Sequence, residues 1–167
     1  MTFTSLLTFK QSENIRLIDA RGPRFGALIT TAILTAALAL NSFPLILWQL
    51  GVFAIGAFIS PQRTPYAWIY QSLIKPRLRG DIPTEDIRPP QFAQIVGFLF
   101  LAAATTATLL GENTIATVVI GFALAAAFLN AAFNFCLGCE IYLLIARTRG
   151  AISGRKNAAD SYNLPNL

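Results

Sequence analysis

The sequence predicts an all-α membrane protein: four transmembrane helices as two tandem hairpins, each followed by an amphipathic interfacial helix. Three observations carry that prediction. Of 167 residues, 54% are hydrophobic and only 13% charged, about half the charged share of a soluble domain, and the mean hydropathy is +0.56. Four long apolar stretches are separated by short polar turns or longer basic connectors. The basic residues are also segregated. Lys10, Arg16, Arg21 and Arg24 precede the first stretch; Arg63, Lys75, Arg77, Arg79 and Arg88 lie between the second and third; Arg147, Arg149, Arg155 and Lys156 follow the fourth. Four crossings place all three groups on one side, while the two turns on the other side hold a single charge, Glu112. By the positive-inside rule both termini are cytoplasmic, and the expected location is a bacterial inner membrane.

Residues 1–24 read as a cytoplasmic amphipathic segment. The opening lacks a basic stretch ahead of an apolar run and a small-residue cleavage site, so no cleavable signal is expected, and the first span begins near Phe25. Residues 25–41 are uncharged. Asn41-Ser42-Phe43-Pro44 forms a turn with proline near the start of the next helix, and residues 45–60 make the second span. Pro61 and Pro65 should end it. Tyr66, Ile69, Tyr70 and Leu73 then recur at helical spacing beside Trp68, which suits a helix lying among the headgroups and completes a unit over 25–75. A cytoplasmic connector, 76–91, follows; its Asp81, Glu85 and Asp86 read as a solvated loop pairing with nearby arginines. The second unit, 92–147, has spans from Phe92 to Leu110 and from Thr114 to Ala131. Gly111 is suited to end one helix and Asn113 to cap the next. Residues 148–167 form a polar cytoplasmic tail. The spans are about 16 to 19 residues, at the short end for a hydrocarbon core of about 30 Å.

The chain also repeats itself. Arg21-Gly22-Pro23-Arg24-Phe25 opens the first hairpin and Arg88-Pro89-Pro90-Gln91-Phe92 the second, while GVFAIGAFIS at 51–60 matches GFALAAAFLN at 121–130. With two spans in each half, the halves insert in the same orientation. By analogy with the first half, 135–146 should form either an inner-interface segment, with Asn134 capping a fresh helix, or the last turns of an over-long fourth span. A single helix from Thr114 to Ala146 would be about 50 Å long, too long to cross without a tilt or a break.

Several function classes lack their residues. Histidine is absent, which removes the commonest general base and metal ligand. Phosphate loops, nucleophile elbows and HExxH are missing, and no charge sits mid-span to carry ions or protons. The net charge of +5 is accounted for by anionic headgroups, and no basic helix face suggests nucleic acid. Asn130 and Asn134, a turn apart, can bond to a neighbouring helix, and Gln49 and several threonines can bond to backbone or to neighbours. Small residues at Gly121/Ala125 and Ala123/Ala127/Ala131 suit close helix contact.

One constellation carries chemistry: Cys136-Leu137-Gly138-Cys139-Glu140. On a helix, positions 136, 139 and 140 share a face, and a helix N-terminus favours thiolate. Three readings fit. The pair forms a reversible dithiol or carries sulfane sulfur; or it binds metal, copper(I) more readily than zinc because two thiolates suffice; or it is small apolar packing. In the first reading Cys136 attacks, Cys139 resolves and Glu140 assists proton transfer. No cofactor is required, although a membrane quinone is compatible as electron acceptor.

From about residue 14 to 148 the chain resembles a family of small bacterial integral-membrane proteins of unknown function. The resemblance rests on Asp19-Ala20-Arg21-Gly22-Pro23-Arg24-Phe25, on Pro90-Gln91-Phe92-Ala93-Gln94 with Gly97, and above all on Leu129-Asn130-Ala131-Ala132-Phe133 running into Phe135-Cys136-Leu137-Gly138-Cys139-Glu140. Members of that family are often encoded beside rhodanese-type or thioredoxin-like proteins. The resemblance therefore implies sulfur or thiol redox work with such a partner at the bilayer. A non-catalytic subunit of a larger membrane complex and a small permease for a sulfur compound are the competing expectations.

Overall fold

A computed structural model describes residues 17–78 and 83–148. The expectations for residues 1–16, for Asp81 and for the tail beyond 148 lie outside them. Among the described residues there are six α-helices and a two-stranded ribbon, and four apolar helices form the bundle. Strand β1 (Leu17–Asp19) leads into α1 (Arg21–Ala39) and α2 (Phe43–Phe58). After a 3₁₀ turn at Pro61–Arg63, the short α3 (Pro65–Ile69) continues through a wide turn, Tyr70–Ile74. Strand β2 (Thr84–Asp86) opens the second half, followed by α4 (Arg88–Leu109), α5 (Asn113–Phe133) and a last helix, α6, over 137–148.

Helices α1, α4 and α5 are long and apolar enough to cross a membrane, whereas α2 is apolar but has only 16 residues, a length of about 24 Å. Around the bundle the order is α1, α2, α4, α5, each packed on the next and α5 closing on α1. The core lies towards the turn end, where Leu34, Leu101 and Ala104 are fully buried with Ala37, Ile46, Phe53, Ile120 and Ala123 around them. Here α2 and α4 come close because Gly97 leaves room for a ring: a Cβ on it would lie 2.9 Å from the Phe53 side chain.

The turns of the two halves repeat one another. In the turn between α1 and α2, Ser42 N–H donates to Ala37 O (3.0 Å), as Glu112 N–H does to Ala107 O (2.9 Å) between α4 and α5. The left-handed residues are Asn41 (φ 47°) and Gly111 (φ 83°), seventy positions apart. At the other end β1 and β2 pair antiparallel, with Leu17 opposite Asp86, Ile18 opposite Glu85 and Asp19 opposite Thr84. That is the register a two-fold axis through the Ile18–Glu85 pair generates, and it sets the starts of α1 and α4 at the same end of the bundle.

Several expectations need correction. Helices α1 and α4 begin four residues before Phe25 and Phe92, because an aspartate two places ahead accepts the first free N–H. Asp19 Oδ1 takes Arg21 N–H at 3.0 Å and Asp86 Oδ1 takes Arg88 N–H at 3.1 Å, and a proline in the first turn costs no hydrogen bond. Part of the 76–91 connector is thus ordered strand and helix, and Glu85 and Asp86 are half-buried strand residues. Glu112, not Asn113, sits at the cap position of α5. Asn134 ends α5 in a left-handed conformation (φ 56°) instead of starting α6. Tyr66 and Tyr70 are buried under the bundle end while Trp68 and Leu73 stay exposed, so the two tyrosines serve the protein interior and not the headgroups.

Candidate functional site

The fold brings the vicinal cysteines to the wall of a cavity of about 770 Å³ at the ribbon end of the bundle. Three features of the local sequence build this corner. Asn134 tolerates the left-handed turn that halts α5, and Phe135 N–H closes it onto Leu129 O at 3.3 Å. The chain then restarts as α6, with Cys136 directly ahead of the first helical residue. Cys136 Sγ accepts the backbone N–H of Cys139 at 3.3 Å, and Cys136 O accepts Glu140 N–H at 3.0 Å. The sulfur therefore occupies the capping position, where free N–H groups and the positive helix end favour thiolate over thiol. The structure pairs Cys136 with Cys139 as a disulfide, their Cα atoms 5.1 Å apart.

Gly138 fixes the pair against the bundle. A Cβ there would lie 2.7 Å from both Cα and Cβ of Ala93 on α4, so only glycine lets α6 sit this close. Phe92 and Tyr142 clamp the same junction with ring centroids 5.8 Å apart. Glu140 shares the cavity wall with both cysteines and is itself exposed. Among the described residues no group of three His, Cys, Asp or Glu side chains is placed to hold a metal ion. Arg24 Nε donates to Ala131 O at 3.2 Å, securing the carbonyl end of α5 beside the site.

The first half carries a polar counterpart that sequence reasoning did not assemble. Thr64 caps α3, its Oγ1 accepting Ala67 N–H at 3.2 Å, the same relation that Cys136 has to Cys139. Tyr66 donates to Gln49 Oε1 at 2.8 Å, Gln49 Nε2 donates to Thr30 Oγ1 at 3.2 Å, and Trp48 Nε1 donates to the Tyr66 oxygen at 3.1 Å. Tyr70 lies 5.7 Å from Phe25 and donates to Asp19 Oδ2 at 3.0 Å. Burial, that hydrogen bond and the Asp19 charge push the Tyr70 hydroxyl up to about 12. Burial, with Asp19 nearby, also raises Glu85 above the ordinary carboxylate range. Of these groups Asp19, Thr30, Thr64, Tyr66, Tyr70 and Glu85 line the same cavity. The signal for part of this was in the sequence, where Asp19-Ala20-Arg21 and Asp86-Ile87-Arg88 precede the two prolines. Asn130 and Asn134 also line the cavity.

Fold and site together define a helical, membrane-compatible bundle with a vicinal cysteine pair set in a cavity wall. The chain belongs to the family described as Domain of unknown function (DUF4395), which it matches over residues 18–147. No curated protein and no solved structure matches it.

Proposed function

We propose that this protein is an inner-membrane dithiol–disulfide centre that exchanges electrons or sulfur with a cytoplasmic thiol partner of the thioredoxin-like or rhodanese-like kind. In this reading all four apolar helices cross the bilayer as two hairpins, and the ribbon end, the cysteines and both termini face the cytoplasm. The observation that carries it is the placement of Cys136 at a helix start, its sulfur receiving the Cys139 N–H while Cys139 stands within disulfide reach. A packing cysteine has no need of that arrangement. A nucleophilic one does, because the thiolate is the attacking species. Cys136 attacks the partner's disulfide or sulfane sulfur. Cys139 then attacks Cys136 Sγ and closes the internal disulfide, releasing the partner's thiol from a mixed disulfide or hydrogen sulfide from a persulfide, and Glu140 takes up the proton given up by Cys139. The fully buried Leu34, Leu101 and Ala104 fill the bundle between the cavity and the hairpin turns, which favours chemistry at one face over passage of a sulfur compound.

Trapping tests the assignment. The Cys139→Ser variant should accumulate a mixed disulfide or persulfide on Cys136 in cells, visible as a reducible adduct, and Cys136→Ser should not. Equal trapping by both variants, or by neither, contradicts it. The sidedness follows from impermeant maleimide labelling of single cysteines placed at 76–78 and 83–90, which should succeed only after the membrane is opened.

A further inference from the structure

Beyond the cysteines, the cavity has a second feature that a cytoplasmic thiol partner does not use. It runs from the disulfide deep into the bundle. On α5 its wall is formed by Ala123, Ala126, Ala127 and Asn130, and on α4 by Ala93 and Gly97. These positions recur at helical spacing, so each set is one continuous face. At the far end the cavity is lined by Phe100 and Phe122, each eleven residues from Gly111 and so at the same depth on adjacent antiparallel helices. Both residues also keep accessible surface, Phe122 at 64% and Phe100 at 36%, which makes mid-bundle the place where the cavity can open towards lipid. From Phe122 to the helix end at Phe133 is eleven residues, a wall of about 17 Å.

A small-walled apolar track that opens towards hydrocarbon at one end and meets a disulfide at the other suits an elongated lipid-soluble molecule with a redox-active head. We infer that the cavity binds a lipid-soluble quinone, which enters beside Phe100 and Phe122 and reoxidises the Cys136–Cys139 dithiol; this rests on the reading of that pair as a redox centre. The chemistry balances without a further reactant. The Cys136 thiolate adds to the quinone ring, forming a carbon–sulfur bond. The Cys139 thiolate then attacks Cys136 Sγ, making the sulfur–sulfur bond and breaking the carbon–sulfur bond. The electron pair leaves on the ring, which takes up the two protons given up by the thiols. One dithiol and one quinone yield one disulfide and one quinol. Gln94 and Asn130, both in the cavity wall, provide amide groups for the ring oxygens between the portal and the sulfur. The apolar stretch from Ala123 to Ala127 takes the tail.

The test separates binding from chemistry. Cys136→Ala protein in lipid vesicles is photolabelled with an azido-benzoquinone, and the labelled peptides are mapped by mass spectrometry. Label is expected at 96–100 and 122–130, competed away by excess decylubiquinone and lowered at least fivefold by Ala127→Trp. The milder Ala127→Leu keeps the comparison open if the tryptophan variant does not accumulate. Label scattered over the lipid-facing surface and insensitive to competition overturns the quinone site, whatever the thiols do. In a second arm, reduced wild-type protein is mixed anaerobically with decylubiquinone. One quinol per disulfide formed supports the proposal, and site-specific label without quinol formation overturns the electron transfer. Competed label in a protein whose cysteines fail to exchange with glutathione would instead break the dithiol reading while leaving the ligand site in place.

Discussion

Thr64 and Cys136 hold the same place in the two halves: each stands just before a helix and accepts, through its side chain, the N–H three residues on. The aromatic pairs Phe25–Tyr70 and Phe92–Tyr142 lock the two corners in the same way. Cys136 is therefore a helix cap in which sulfur stands where the first half has the Thr64 oxygen.

That equivalence separates structure from chemistry. Cys136→Thr should abolish disulfide exchange yet keep the cap, as Thr64 does. Cys136→Val should lose both, and be less stable than the threonine variant by about 1 kcal/mol. Denaturation of the two variants in detergent measures the difference. Equal stabilities would show that the 136 side chain does not cap α6.

Gly138 sets how close the pair lies to α4. In Gly138→Ala the new methyl meets Ala93 backbone and side chain, and overpacking of that kind costs about 1–3 kcal/mol. The start of α6 is pushed outward with both cysteines on it, so exchange with glutathione should slow by at least tenfold. An unchanged rate would mean that docking on α4 is immaterial to reactivity.

The Gln49–Tyr66 bond is buried, and its loss leaves an acceptor without a partner. Tyr66→Phe should cost about 1–3 kcal/mol. Gln49→Leu should be costly too, but the double variant should be less destabilised than the two losses added. A double-mutant cycle reads this coupling. Simple additivity would place the two residues in separate environments.

Glu85 is held above the ordinary carboxylate range by burial and by Asp19. Its folded pKa exceeds its unfolded one, so the native state holds the proton more tightly there. Its contribution is present at low pH and is lost as pH rises through the raised value. Glu85→Gln should therefore raise the melting temperature at pH 7–8, with the gain shrinking towards pH 4. A gain that is constant across that range would place its origin outside the ionisation.

Much of the architecture was legible because lipid-compatible helices announce themselves by length and charge exclusion. The turns at Asn41 and Gly111 were equally plain, since few residues accept a positive φ. The ribbon was not. Three-residue strands carry no periodicity, and Leu17–Asp19 and Thr84–Asp86 are defined only by each other. The tyrosines misled because an amphipathic face at a membrane edge has the same pattern whether it faces headgroups or a bundle end; what decides is Gln49 and Asp19, distant in sequence. For the cysteines, spacing alone gave proximity. It could not give the cap, which depends on α5 stopping at Asn134 and on Ala93 lying under Gly138.

The proposed chemistry requires Cys136 and Cys139 to form a working redox couple. Equilibrating native membranes in glutathione buffers of stepped potential, then alkylating and counting modified cysteines by mass spectrometry, measures it directly. One two-electron transition is expected, with a midpoint between about −300 and −120 mV, the range of exchange-active pairs. Cysteines that stay fully reduced, or fully bonded, across that whole range would contradict it.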